Sequence, residues 1–141
     1  MEDLFRDSYF NDPLNDWDVS NVTNMKRMFY STNNFNQPLD KWNVSSVTNM
    51  SWMFSSARSF NQPLGSWDVS SVTDMTSMFA APTTLSTANY DNLLLGWSAQ
   101  KLQSDISLDV QRSQYSPSSQ AARDTLTNTF NWTIRDSGVS N

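Results

Sequence analysis

The sequence predicts an α/β solenoid, a right-handed coil built from short strands and helical turns. Three observations carry the expectation. A 25-residue unit repeats without a gap, its first half alternates apolar and polar residues, and its second half places apolar residues three and four apart. The units are FNDPLNDWDVSNVTNMKRMFYSTNN (10–34), FNQPLDKWNVSSVTNMSWMFSSARS (35–59) and FNQPLGSWDVSSVTDMTSMFAAPTT (60–84), with twelve positions identical in all three. One such unit cannot bury its apolar face alone, and stacking supplies the core.

The invariant apolar positions locate that core. In the second unit they are Phe35, Leu39, Trp42, Val44, Val47, Met50, Met53 and Phe54. Trp42-x-Val44 predicts a short strand. Val47, Met50, Met53 and Phe54 predict one face of a helical segment, with Ser45 or Ser46 as its N-cap. Pro38 falls in the returning turn, where its missing N–H does no harm. Leu39-x-x-Trp42-x-Val44 fits the L-x-x-L-x-L core of a leucine-rich repeat, so the coil is expected to be leucine-rich-repeat-like. Trp17, Trp42 and Trp67 are expected in the core, and Asn11, Asn36 and Asn61 as a buried structural ladder.

Three segments follow: a partial N-terminal repeat (1–9), three full repeats (10–84) and a C-terminal α/β capping segment (85–141). In the last, Tyr90, Leu93, Leu94 and Trp97 predict a helix capped by Ser86 or Thr87. Ile106, Leu108 and Val110 predict a strand. SPSSQAARDTLTNTF predicts a second helix entered at Ser116-Pro117, and NWTIRDSG a last strand.

Composition narrows the function. Net charge is −5, which disfavours nucleic acid and anionic membrane surfaces as partners. There is no cysteine and no histidine, which removes thiolate chemistry, a Ser-His-Asp triad and the commonest metal ligand. No apolar run reaches transmembrane length, and MEDLFRDSYF lacks the pattern of a signal peptide. The chain is therefore expected to be a fragment whose targeting segments lie outside it. Its first coil, uncapped, is expected to allow end-to-end pairing of copies.

The outward positions form ladders: Asp16, Lys41 and Ser66; Asp18, Asn43 and Asp68; Ser20, Ser45 and Ser70. Coils stack roughly 4.8 Å apart, so these side chains make a polar strip, either a solvated face or a ligand face. Asp16, Asp18, Lys41, Asn43 and Asp68 are its candidate ligand-binding residues. Trp52 is the sixth candidate. Arg27 and Ser77 hold its position in the other units, and an unrepeated Trp with Arg27 and Arg58 nearby suits a partner contact. The carboxylates of the strip match no calcium-loop pattern, and nothing desolvates one of them into a general acid. No metal, cofactor or enzymatic activity is expected.

FNQPL, WDVSSVTDM and the closing MF of each unit resemble bacterial surface-protein repeats of about 25 residues. These are known from mycoplasma and Listeria surface lipoproteins and lie near the BspA-like leucine-rich-repeat class. LSTANYDNLLLGW and WTIRDSG resemble the segment that closes such arrays. The resemblance implies an extracellular or cell-surface location and a non-catalytic module for adhesion or for binding protein or glycan on a host or neighbouring cell. The alternative it leaves open is a passive spacer displaying another domain.

Overall fold

The computed structural model describes all 141 residues. It overturns the expected α/β solenoid of leucine-rich-repeat-like strands and helical turns. Residues 1–86 form neither a helix nor a strand, only turns and single bridges linking Asn24 to Asn49 and Asn49 to Asp74. All regular elements lie downstream: α1 (Thr87–Ser98), β1 (Ser107–Asp109), α2 (Gln120–Asp124), entered by a 3-10 turn (Pro117–Ser119) and continued by a π-helical turn (Thr125–Thr129), and β2 (Thr133–Arg135). The two strands pair in parallel as an open two-stranded sheet.

The reason lies in where the backbone N–H groups go. A helix would send each to the carbonyl four residues back. Here Met53, Ser55 and Ala57 donate to the carbonyls of Met50, Trp52 and Phe54, three residues back. The alternate donors, Met50, Trp52 and Phe54, reach out to Asp74, Thr76 and Met78 of the next unit, each at 2.9 Å. Arg27 and Phe29 donate to Ser51 and Met53 in the same way. The chain achieves this by turning left-handed once per turn. Arg27, Trp52 and Ser77 have φ of 52°, 59° and 55°, and Ser31 and Ser56 repeat the conformation at 58° and 61°.

A left-handed L-residue costs about 1–2 kcal/mol, and glycine avoids this at an entropic cost of about 0.5–1 kcal/mol. The Ser77 side chain makes no hydrogen bond that would be lost. Ser77→Gly is therefore expected to stabilise the protein by about 0.5 kcal/mol, read as a raised urea midpoint with an unchanged m-value.

The invariant apolar side chains pack as the repeat pattern requires, and all eight of the second unit are buried. Phe54 stacks between Phe29 and Phe79, with ring centroids 5.4 and 5.6 Å away, and against Phe60 at 3.8 Å. Trp42 and Trp67 stack at 6.4 Å. Each indole N–H reaches back to the preceding unit, Trp42 to Leu14 O and Trp67 to Leu39 O. Trp17 departs from the expected core: of the partial first unit only Phe5 stacks near it, at 5.9 Å, and it is 44 % exposed.

The asparagine ladder forms, but it is not buried as expected: Asn11 and Asn36 are exposed and Asn61 half-buried. Asn11 Oδ1 accepts from Asn36 N, and Asn36 Oδ1 from Asn61 N, both at 2.9 Å. Gln37 and Gln62 clamp the same asparagines through Nε2, which explains the third letter of FNQPL.

Helix α1 inherits these ladders. Ser86 N and Asn89 Nδ2 donate to Asn61 Oδ1, and Trp97 Nε1 donates to Leu64 O at 2.9 Å. Ser86 caps the helix by accepting from Asn89 N, and Tyr90, Leu93, Leu94 and Trp97 form its buried face. The close docking needs two glycines. A Cβ on Gly96 would stand 2.1 Å from Gly65 O, and one on Gly65 would stand 2.2 Å from Asn92 O. One cluster of 35 buried apolar residues runs from Leu14 to Trp132, so repeats and C-terminal segment share a core.

Candidate functional site

Asp16, Asp18, Lys41, Asn43 and Asp68 all lie exposed on one edge of the repeats, but no strand presents them. One oxygen of each acidic or amide side chain is already in use. Asp18 Oδ1 accepts from Ser20 N and Ser20 Oγ at 3.0 and 2.6 Å. Asn43 does the same with Ser45, and Asp68 with Ser70. These are Asx turns, so the serine repeated in each unit is the donor and not the helix cap expected of it. The hydrogen bonds from the Ser20 hydroxyl and then its N–H hold the Asp18 carboxyl below the usual carboxylate range. Lys41 pairs with Asp16 at 3.3 Å, both largely in solvent. No group of three acidic side chains gathers in a way that suits a metal ion.

Trp52 stands apart from this strip. Its left-handed backbone turns the indole outward, 39 % exposed, beside Tyr30 with ring centroids 6.3 Å apart and the planes at 61°. Arg6, Lys26, Arg27, Tyr30 and Trp52 line a cleft of about 290 Å3. Arg58, which the sequence places near Trp52, is not part of it.

All five residues occupy variable positions of the unit. Arg27 and Trp52 are equivalent to Asp3 and Ser77, while Tyr30 is equivalent to Arg6, Ser55 and Ala80. The scaffold is thus common to every unit, and the cleft comes from side chains that are not. Trp52 was detectable as an unrepeated aromatic. Its partners were not, because they come from the two preceding units and from three different positions of the repeat.

The cleft is cationic in a chain that is acidic overall. Arg6 lies 5.4 Å from the Tyr30 ring centroid and pairs with Asp7 at 3.0 Å. Arg27 Nη2 pairs with Asp3 at 2.9 Å and Glu2 at 3.4 Å. The Lys26 ammonium has no carboxylate within ion-pair distance, and the Arg27 Nε–H is buried without an acceptor.

A second polar cluster lies in the C-terminal segment and is sealed. Asp136, its side chain 4 % exposed, accepts from Arg123 Nε at 2.8 Å and from the Tyr90 hydroxyl at 2.6 Å. Burial, and then the Asp136 carboxylate, push the Tyr90 phenol well above its ordinary value, so it remains a donor. Nothing in this cluster opens to a ligand; it ties α1, α2 and the segment after β2 together.

Asp91 on α1 accepts from Ser116 N at 2.9 Å. Burial pushes its carboxyl up, but the Ser116 hydrogen bonds outweigh that and leave it below the usual carboxylate range. A depressed folded-state value stabilises the protein above about pH 4, and this contribution fades as pH falls through the depressed value. Asp91→Asn is therefore expected to flatten the acid limb of melting temperature measured from about pH 5 to about pH 2.5.

No curated protein and no solved structure is similar enough to the chain to be matched. A family model matches residues 1–111, which takes in every repeat, α1 and β1. The chain belongs to that family, described as "Mycoplasma protein of unknown function, DUF285".

Proposed function

We propose that the chain is a non-catalytic binding module of the surface-repeat type, related to the BspA-like class, and that it works in adhesion outside the cell. Its partner is a protein or glycan on a host or neighbouring cell. The observation that carries this reading is the Trp52 cleft. Five unrepeated side chains, two aromatic and three cationic, meet there on a scaffold whose other variable positions hold mostly small polar residues. Exposed aromatic and Arg side chains are the residue types on which interfaces concentrate their energy. The strip of Asp16, Asp18, Lys41, Asn43 and Asp68 is secondary in this reading, because its side chains already serve the turns and an ion pair.

A passive spacer is the second reading. The backbone ladder from unit to unit favours it, since such a stack is stiff along its axis whatever it binds.

The two readings separate on a panel of defined glycans and purified surface proteins presented to the immobilised chain. Trp52→Ser, which installs the residue found at position 77, is expected to remove retention and leave melting unchanged. Substituting Asp18, Asn43 and Asp68 together by Ala is expected to lower the melting temperature and leave retention intact. Retention that survives Trp52→Ser would move recognition away from the cleft. Absence of retention by the unsubstituted chain would favour the spacer.

A further inference from the structure

We infer that the Trp52 cleft selects a sugar unit bearing a single carboxylate, of the hexuronic acid type. The inference rests on the binding reading given above and adds the ligand's chemistry. Three observations lead to it.

The first is the pair of rings. Trp52 and Tyr30 stand at 61° with centroids 6.3 Å apart, and both are partly open to solvent. Two inclined aromatic faces suit a pyranose, whose C–H face is apolar and whose rim is hydroxylated. A volume of about 290 Å3 is at the small end for ligand sites, enough for one sugar unit and little more.

The second is the charge count. Glu2, Asp3 and Asp7 hold the guanidiniums of Arg6 and Arg27. That leaves the Lys26 ammonium as the one cation lining the cleft that has no carboxylate partner. One carboxylate supplies the partner that Lys26 lacks, through a charge-assisted hydrogen bond. A polyanion does not suit the site, because the neighbouring carboxylates and the chain's net charge of −5 repel further negative charge.

The third distinguishes a sugar from an extended peptide. A peptide strand would need free main-chain donors and acceptors beside the rings. The N–H groups of Arg27 and Trp52 are already donated to Ser51 and Thr76 of the next unit.

The test uses the whole chain and four probes: methyl glucuronide, methyl glucoside, acetate and inorganic phosphate. Binding is followed by NMR at the tryptophan indole N–H signals and by calorimetry. The Trp42, Trp67, Trp97 and Trp132 indoles donate to backbone carbonyls inside the protein, and Trp17, though exposed, does not line the cleft, so a ligand there should move the Trp52 signal selectively.

Methyl glucuronide is expected to bind about tenfold more tightly than methyl glucoside, the worth of one charge-assisted contact. Lys26→Ser, which installs the residue found at position 51, is expected to erase that tenfold difference. Trp52→Ser is expected to remove binding of both sugars. Equal affinity for the two glycosides overturns the carboxylate inference and leaves the binding reading standing. Acetate or phosphate binding as tightly as the glucuronide overturns the sugar inference and identifies a simple anion site. If no sugar moves the Trp52 signal, the inference and the cleft's role in binding fall together.

Discussion

Asp136→Ala is expected to cost about 3 kcal/mol of folding stability. The Asp136 carboxylate is the common acceptor for three separate parts of the C-terminal segment. It takes the Tyr90 hydroxyl of α1, the Arg123 guanidinium of α2 and the Gly138 N–H of the terminal turn. Removing it leaves a guanidinium that is only one-fifth exposed without its ion-pair partner and a buried phenol without an acceptor. Deleting one member of a buried pair costs about 3–5 kcal/mol. The lower end applies because Arg123 keeps its place over the Tyr115 ring, at 5.4 Å, and its partial contact with water. Asp136→Asn preserves the shape and some hydrogen bonding, so it is expected to cost less. Urea denaturation of both variants checks the order: Ala well below Asn, and Asn below the unsubstituted protein. If Asp136→Ala lies within about 0.5 kcal/mol of the unsubstituted protein, as ordinary surface substitutions do, the cluster is not what holds the segment together.

Gly96→Ala sets two effects of opposite sign against each other. Helix propensity alone favours alanine by about 1 kcal/mol at an interior helical position. Packing opposes it, because the new methyl would stand 2.1 Å from Gly65 O and 2.6 Å from Gly65 Cα. Both obstacles are backbone, so no side chain can swing aside. Overpacking of a core costs about 1–3 kcal/mol, and more where nothing yields. The expected net loss is about 3 kcal/mol, seen in thermal melts as a lower transition with earlier loss of helical signal. Gly65→Asp is the companion variant. It installs the residue that the second repeat carries at position 40, yet it is expected to undock α1, since a Cβ at position 65 meets Asn92 O at 2.2 Å. A result in which the more repeat-like sequence is the less stable one would single out docking, rather than repeat identity, as the constraint at this position.

Those glycines show where the sequence was legible and where it was not. The period and the apolar positions could be read directly, and so could the buried face of α1, because burial imposes a pattern on residue types. The local conformation of the repeat could not. Apolar residues three and four apart fit a helix, and they equally fit successive turns whose alternate donors bond to the next unit. The difference lies in left-handed residues such as Trp52 and Ser56, and none of them is a glycine that would have announced itself. The strip was legible as exposed and polar, but the use of Asp18, Asn43 and Asp68 in Asx turns hangs on serines two residues on, whose place in the sequence equally suits a helix cap. At the cleft, Trp52 stood out as unrepeated. Lys26, Tyr30 and Arg6 did not, because only the stacking of units brings them beside it. Gly65 is the missed signal. It is the one place where the third unit departs from the polar residues Asn15 and Asp40 at that position, and it marks where the repeats end and α1 docks.

The ladder that joins Met50, Trp52 and Phe54 to the following unit has a mechanical consequence. Its bonds run along the stack, so a pull on the two chain ends loads successive interfaces in series. The donors of the first unit, Arg27 and Phe29, and those of the second, Met50, Trp52 and Phe54, form separate sets of bonds, so one set can part before the other. A freed 25-residue unit can extend by roughly 80 Å, whereas the aromatic rings it stacked between were 5.4 to 5.6 Å away. Such a chain lengthens under tension by giving up single units while the rest of the array keeps its shape.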